Sequence, residues 1–337
     1  MPDIFSTTRP FLRALTRDGI SLPVIDVTDP RFRVPDDAES LRALFARAHE
    51  EQRRNSRMPQ FIMRLMLRRM AKQSLLVNAL FGAGDAPFLD GISTYVMKLG
   101  AGNLPPPFDS PMDKRMAASA HLALLRLRTQ RVAHLLTDAL APELAAAPGA
   151  PLALVDIAGG PAIDAMNALI LLRQHDPGLL ARPVAINVLD GDEAGPFFGK
   201  NALAALMGDG APLAGLAVAF HVHRYDWNDT TALDAVLRDA QAAGAVVAAS
   251  SEGGLFEYGS DDAIVANLAA LRAAGAGIVA GSVTSSHEGR RRLTTPTRIK
   301  VIPRGLEGFA PLAARGGWRI ARAESAELSQ VVRLAPA

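Results

Sequence analysis

Apolar residues recur at helical spacing up to about residue 148, and the pattern then changes to short runs. Residues 42–54, 60–78 and 111–140 carry the period of amphipathic helices. The last stretch is well signalled. Ser110 is placed to cap it, Pro111 takes the first helical position, and Asp113 lies in the first turn. Pro105-Pro106-Pro107 stops whatever precedes it, and Pro148-Gly149-Ala150-Pro151 reads as a hinge. Beyond the hinge, seven apolar runs (152–157, 184–189, 216–221, 245–249, 276–283, 318–321 and 329–334) alternate with helical stretches at 162–174, 197–207, 231–243, 262–274 and 306–314. That alternation predicts an α/β domain with a parallel sheet covered by helices on both faces. The link between the last two runs is too short for a right-handed crossover, so those strands pair antiparallel. The chain therefore divides into a helical region, 1–148, and an α/β region, 149–337.

Composition narrows the chemistry. Of 337 residues, 49% are hydrophobic and 21% charged, as in globular chains. The absence of cysteine excludes disulfides, thiolate zinc sites, iron–sulfur clusters and cysteine nucleophiles, and it suits a reducing compartment. A net charge of +2 gives no sign of a nucleic-acid partner. The charge is uneven: residues 1–150 hold 20 basic against 15 acidic side chains, and the remainder 16 against 19. Only five of the 36 basic residues are lysine, which points to a GC-rich bacterial genome. No apolar run is long enough to span a bilayer, and the N-terminus has no signal-peptide pattern, so a cytoplasmic protein without a membrane partner is expected.

Polar clusters follow four successive runs. The first run ends in Asp156-Ile157-Ala158-Gly159-Gly160, where glycines let a backbone approach a ligand and the following helix offers free N–H groups. Taken alone, a Gly-Gly pair is equally a plain tight turn, and the Gly-x-Gly-x-x-Gly fingerprint is absent. The second run ends in Asp190-Gly191, with the acid placed for ribose hydroxyls. The third is followed by Tyr225-Asp226-Trp227, an aromatic face beside an acid. The fourth ends in Ser250-Ser251-Glu252. All four fall where ligands bind in open α/β sheets.

From residue 151 to 334 this arrangement resembles the class I S-adenosylmethionine-dependent methyltransferases. The resemblance rests on the glycine loop, the acid after the second strand, the Tyr-Asp-Trp cluster and the Gly316-Gly317-Trp318 entry into the final strand pair. It implies a Rossmann-like seven-stranded sheet behind an N-terminal helical lid, with S-adenosylmethionine as cofactor. By that likeness Gly159 and Gly160, beside Asp156, face the methionine portion. Asp190 and Gly191 meet the ribose, Asp226 the adenine amino group and Trp227 the ring, with Ser250 nearby. The loop departs from the family's usual Asp-x-Gly-x-Gly, because Ala158 and Pro161 flank the glycine pair.

The acceptor side is less marked. Ser250, Ser251, Glu252, Glu257 and Tyr258 lie just past the fourth run; Glu252 or Glu257 is a candidate general base or holds a substrate amine, and Tyr95 is a candidate reaching the site from the lid. His221 and His223 lack a third metal ligand nearby, so no metal is expected. The His287-Glu288 and Arg290-Arg291-Arg292 loop reads as a solvated basic segment. Residues 53–72 hold seven basic side chains and no acid among apolar ones; they read as a lid or homodimerisation helix rather than an interfacial or nucleic-acid one. The principal expectation is methyl transfer to a small-molecule substrate. An alternative keeps the cofactor and closes its own amine into azetidine-2-carboxylate, releasing methylthioadenosine, with Asn187, Tyr225 and Ser251 clamping the methionine end. A second alternative is a non-catalytic scaffold binding a membrane or partner through the basic helix.

Overall fold

The computed structural model describes residues 11–57, 59–81, 90–286 and 300–337. Seven strands form one sheet: β3 (Leu152–Ile157), β4 (Val184–Asp190), β5 (Val218–Arg224), β6 (Val246–Ser251), β7 (Ile278–Thr284), β8 (Trp318–Ser325) and β9 (Ser329–Pro336). Their order is β5-β4-β3-β6-β7-β9-β8. All neighbours pair parallel except β9, which runs antiparallel to both β7 and β8. The chain steps outward from β3 to β5, then returns to lay β6 on the other side of β3. That reversal opens a crevice at the carboxyl ends of β3 and β6.

Strand alternation distributes the core. Leu152 and Leu154 of β3 join the cluster under α6 (Ala120–Ala146), α7 (Ile163–His175) and α8 (Ala194–Leu206). Ala153, Val155 and Ile157 join the opposite cluster under α9 (Thr231–Ala242), α11 (Asp261–Ala273) and α12 (Gly305–Arg315). A one-turn helix, α10 (Leu255–Tyr258), follows β6. The first cluster also takes in Leu76, Tyr95 and Leu99, so it continues across the 148–151 link.

The N-terminal region differs from the all-helical reading. It opens with an antiparallel pair, β1 (Arg13–Leu15) and β2 (Ser21–Pro23). Helix α1 (Ala38–Ser56) starts at Asp37, whose side chain accepts from Glu39 and Ser40 N–H. The periodic stretch 60–78 is two helices, α2 (Gln60–Ala71) and α3 (Leu75–Phe81). Ser74 separates them, because its hydroxyl accepts from Val77 N–H and donates to Asp113. The stretch 111–140 is likewise split into α5 (Pro111–Ala117) and α6, with Ser119 capping α6. Ser110 caps α5 through Asp113 N–H as its sequence predicts. Helix α4 (Gly91–Met97) is capped by Asp90 and packs on α8. Among the described residues no helix is long and apolar enough to cross a membrane.

Candidate functional site

The glycine loop is built on left-handed backbone. Ala158, Gly160 and Ala162 have φ of 54°, 52° and 56°. Gly159 has a different reason to be glycine: a Cβ there would lie 2.0 Å from the Asp156 carboxyl carbon. Asp190, at the end of β4, braces the loop by accepting from Gly160 N–H at 2.8 Å and from Asp192 N–H at 2.8 Å. Burial raises its pKa against those hydrogen bonds. Asp192 in turn accepts from Gly91 N–H at 2.9 Å and Gly195 N–H at 3.2 Å. Three glycines meet here. A Cβ on Gly91 would lie 2.9 Å from the Gly195 Cα, and one on Gly195 3.0 Å from the Gly160 Cα. The start of α4 therefore rests directly on the glycine loop and the start of α8.

Beneath the loop lies a buried pair of acids. Among the described residues no N–H or hydroxyl reaches either oxygen of Asp156. Burial, and then the neighbouring Asp164, raises the Asp156 pKa well above its ordinary value. Burial raises Asp164 as well, opposed by its polar neighbours, Asp156 first and then Ser250.

A second buried group joins the two regions. Glu252, after β6, bonds Lys98, after α4, and the Nε of Arg128 in α6. Arg128 Nη1 donates to both oxygens of Glu257 at 3.0 and 3.2 Å, and Ser282 Oγ donates to Glu257 at 3.0 Å. Burial alone would raise Glu252. The Arg128 guanidinium and Lys98 ammonium outweigh it and hold the carboxyl at about 2. A carboxylate so stabilised is a poor proton acceptor, which corrects the reading of Glu252 as a base; it ties α4 and α6 to the strand ends.

Together these elements enclose a chamber of about 1460 Å³, larger than the roughly 300–1,000 Å³ usual for a small-molecule site. Its floor is formed by residues 158–161, 189–192, 224–228 and 252–254. The lining contributed by the N-terminal region is methionine-rich, with Met63, Met66, Met70, Met97, Met112 and Met116 beside Leu67, Leu122 and Leu125, and it includes the polar Gln52, Arg54, Asn55 and Arg115. His121 also lines it, with Nδ1 3.1 Å from Glu51.

Of the residues singled out from sequence, Gly159, Gly160, Asp190, Gly191, Tyr225, Asp226, Trp227, Glu252 and Tyr95 line this chamber. Asp156, Ser250, Ser251 and Asn187 lie behind its surface. Four proposed chemical roles meet structural commitments. Tyr95 Oη accepts from Ile25 N–H at 2.9 Å and donates to Pro23 O at 2.6 Å. Tyr225 Oη donates to Asn267 at 2.6 Å. Ser251 Oγ donates to Ile157 O and accepts from Leu255 N–H, both at 2.9 Å. Asn187 sits within β4, short of its carboxyl end, 3.3 Å from His223. Asp226 Oδ1 accepts from Asn228, while Oδ2 has no partner among the described residues. No group of metal-binding side chains occurs among the described residues. His287, Glu288 and Arg290–Arg292 lie outside them. Lys98, Arg128, His121 and the methionine wall went unread in the sequence. Arg128 is one of three arginines in the 122–136 stretch, with Arg126 and Arg131, and spacing alone does not single it out.

The strand order and the single reversed strand define the class I methyltransferase fold. No protein-family model and no curated protein matches the chain. Among solved structures it is similar to a possible exported protein from Bordetella parapertussis, at 15% identity over 90% of this chain and 98% of that one, with a TM-score of 0.53. It also matches the mitomycin 7-O-methyltransferase MmcR at 14% identity, over 95% of this chain and 78% of that one, with a TM-score of 0.39. The pyocyanin biosynthetic protein PhzM matches at 17% identity over 67% of this chain, with a TM-score of 0.38. The matched region spans 59% of PhzM and 62% of TnmH.

Proposed function

We propose that the chain is an S-adenosylmethionine-dependent methyltransferase acting on a small apolar acceptor. The observation that carries this reading is the division of one chamber into a glycine-and-acid floor and a methionine-rich wall. Such a space suits a polar cofactor and an apolar second molecule side by side.

The residues present fit the cofactor. The Gly159 position is open only because it lacks a Cβ. The floor also presents three acids at the strand ends, Asp190, Asp192 and Asp226, as hydrogen-bond acceptors. Gly159 and Gly160 would take the methionine portion, Asp190 the ribose, Asp226 Oδ2 the adenine amino group and Trp227 the ring. When bound, the cofactor supplies an electrophilic methyl group on a cationic sulfur. The protein's part is to hold the acceptor against that group and to exclude water, which the N-terminal helices do by closing the chamber from above. Glu252 takes no proton at neutral pH; with Lys98 and Arg128 it keeps α4 and α6 seated over the strand ends. Ring closure of the cofactor on itself is less well supported, because Asn187, Tyr225 and Ser251 are engaged elsewhere.

Calorimetry with S-adenosylmethionine and S-adenosylhomocysteine tests the assignment. Asp190→Ala should weaken binding by about 1.5–3 kcal/mol. Wild type that binds neither compound would overturn it. With acceptor added, S-adenosylhomocysteine is the expected nucleoside; methylthioadenosine formed from cofactor alone, above the spontaneous background, would replace transfer by ring closure.

A further inference from the structure

Helix α2 has two chemically different faces. Met63, Leu67 and Met70 line the chamber. The opposite face carries Phe61 and Leu65, one turn apart and 72% and 71% exposed. Helical spacing continues that outer stripe through Arg68 and Lys72. Arg57 and Arg69 are exposed beside it. None of these four cations makes a salt bridge among the described residues. Between Glu51 and Asp85 the chain has seven basic side chains and no acidic one. Large apolar groups left outside a fold, within a basic surround, have the make-up of an interfacial helix.

We propose that this face docks on an anionic lipid surface. Phe61 and Leu65 enter the boundary between headgroups and acyl chains, and Arg57, Arg68, Arg69 and Lys72 sit over the lipid phosphates. A second copy of the chain complements the patch less well. A two-fold contact would bring the same cations together with no acid in the patch to pair them. The sequence reading of 53–72 as a lid or dimerisation helix left the direction of Phe61 and Leu65 open; their outward position favours lipid. Docking also sets the chamber's methionine wall one helix diameter, about 10–12 Å, from the membrane, so the acceptor it admits is one that partitions into lipid. That last step rests on the methyl-transfer reading; the docking does not.

Co-sedimentation with phosphatidylcholine vesicles, with and without phosphatidylglycerol, tests the docking without cofactor or acceptor. Binding is expected only with phosphatidylglycerol, and salt should weaken it. The R68Q/R69Q variant should partition roughly 25-fold less strongly, and F61S/L65S about tenfold less or lower still. R238Q/R319Q, on exposed positions elsewhere, should bind like wild type, and circular dichroism verifies that each variant is folded. Three results would overturn the proposal: no binding to phosphatidylglycerol vesicles, equal loss in R238Q/R319Q, or an F61S/L65S variant that keeps vesicle binding while a dimer becomes a monomer.

Discussion

Replacing Arg128 by leucine isolates the buried charge network. The guanidinium serves Glu252 through Nε and Glu257 through Nη1. Leucine leaves two buried carboxylates facing one ammonium, that of Lys98. Removing one partner of a buried ion pair costs about 3–5 kcal/mol, a large share of the roughly 5–15 kcal/mol that holds a typical domain folded. The pH dependence is the sharper test. In the wild type Glu252 titrates at about 2 against an ordinary 4.5. Its stabilising contribution is therefore complete above the ordinary value and is lost only as pH falls toward 2. In the variant, burial outweighs the remaining ammonium, and the Glu252 carboxyl shifts upward. The folded chain then holds a proton that the unfolded chain has released, so stability declines as pH rises through the raised value. Urea unfolding at about pH 5 and about pH 8 should give a deficit that grows with pH, reaching about 3–5 kcal/mol at the upper value. A deficit below about 1 kcal/mol, or one equal at both pH values, would refute the reasoning.

Two further substitutions address the chamber. Tyr95→Phe deletes two buried hydrogen bonds and should cost about 1–3 kcal/mol in chemical denaturation, with turnover per folded molecule unchanged; a large fall in turnover would return Tyr95 to a chemical role. Gly159→Ala drives a Cβ into the Asp156 carboxyl, so S-adenosylmethionine affinity measured by calorimetry should fall about tenfold or more, and unchanged affinity would remove the loop from the cofactor site.

The strands beyond residue 150 were readable because short apolar runs alternate with helical stretches. Leu152–Ile157 has the bounds its hydrophobic run predicts, and β8 and β9 pair antiparallel as their short link requires. What escaped was local polar competition. Ser74 and Ser119 cap new helices inside stretches whose apolar period continues without a break, and the β1–β2 pair is too short to register as alternation. The floor of the site was legible for the same reason as the sheet, since strand ends are where the chain turns polar. The roof was not. Lys98 and Glu252 are 154 positions apart, and no spacing rule connects them. Nor does sequence reveal that the hydroxyls of Tyr95, Tyr225 and Ser251 are taken by backbone or by Asn267.

Helix α6 precedes the hinge in sequence, yet it packs against α7, β6, β7 and β9. Its length also carries Arg128 to the strand ends. One helix is thus both part of the sheet's covering layer and part of the chamber roof. An N-terminal region of this kind is not an exchangeable cassette. Grafting the lid of a relative at the 148–151 link would replace the packing of α6 on the sheet, together with the cation that Glu252 and Glu257 require. Changes in what the chamber admits are therefore expected to come by point substitution along its methionine wall, and not by recombination of whole lids.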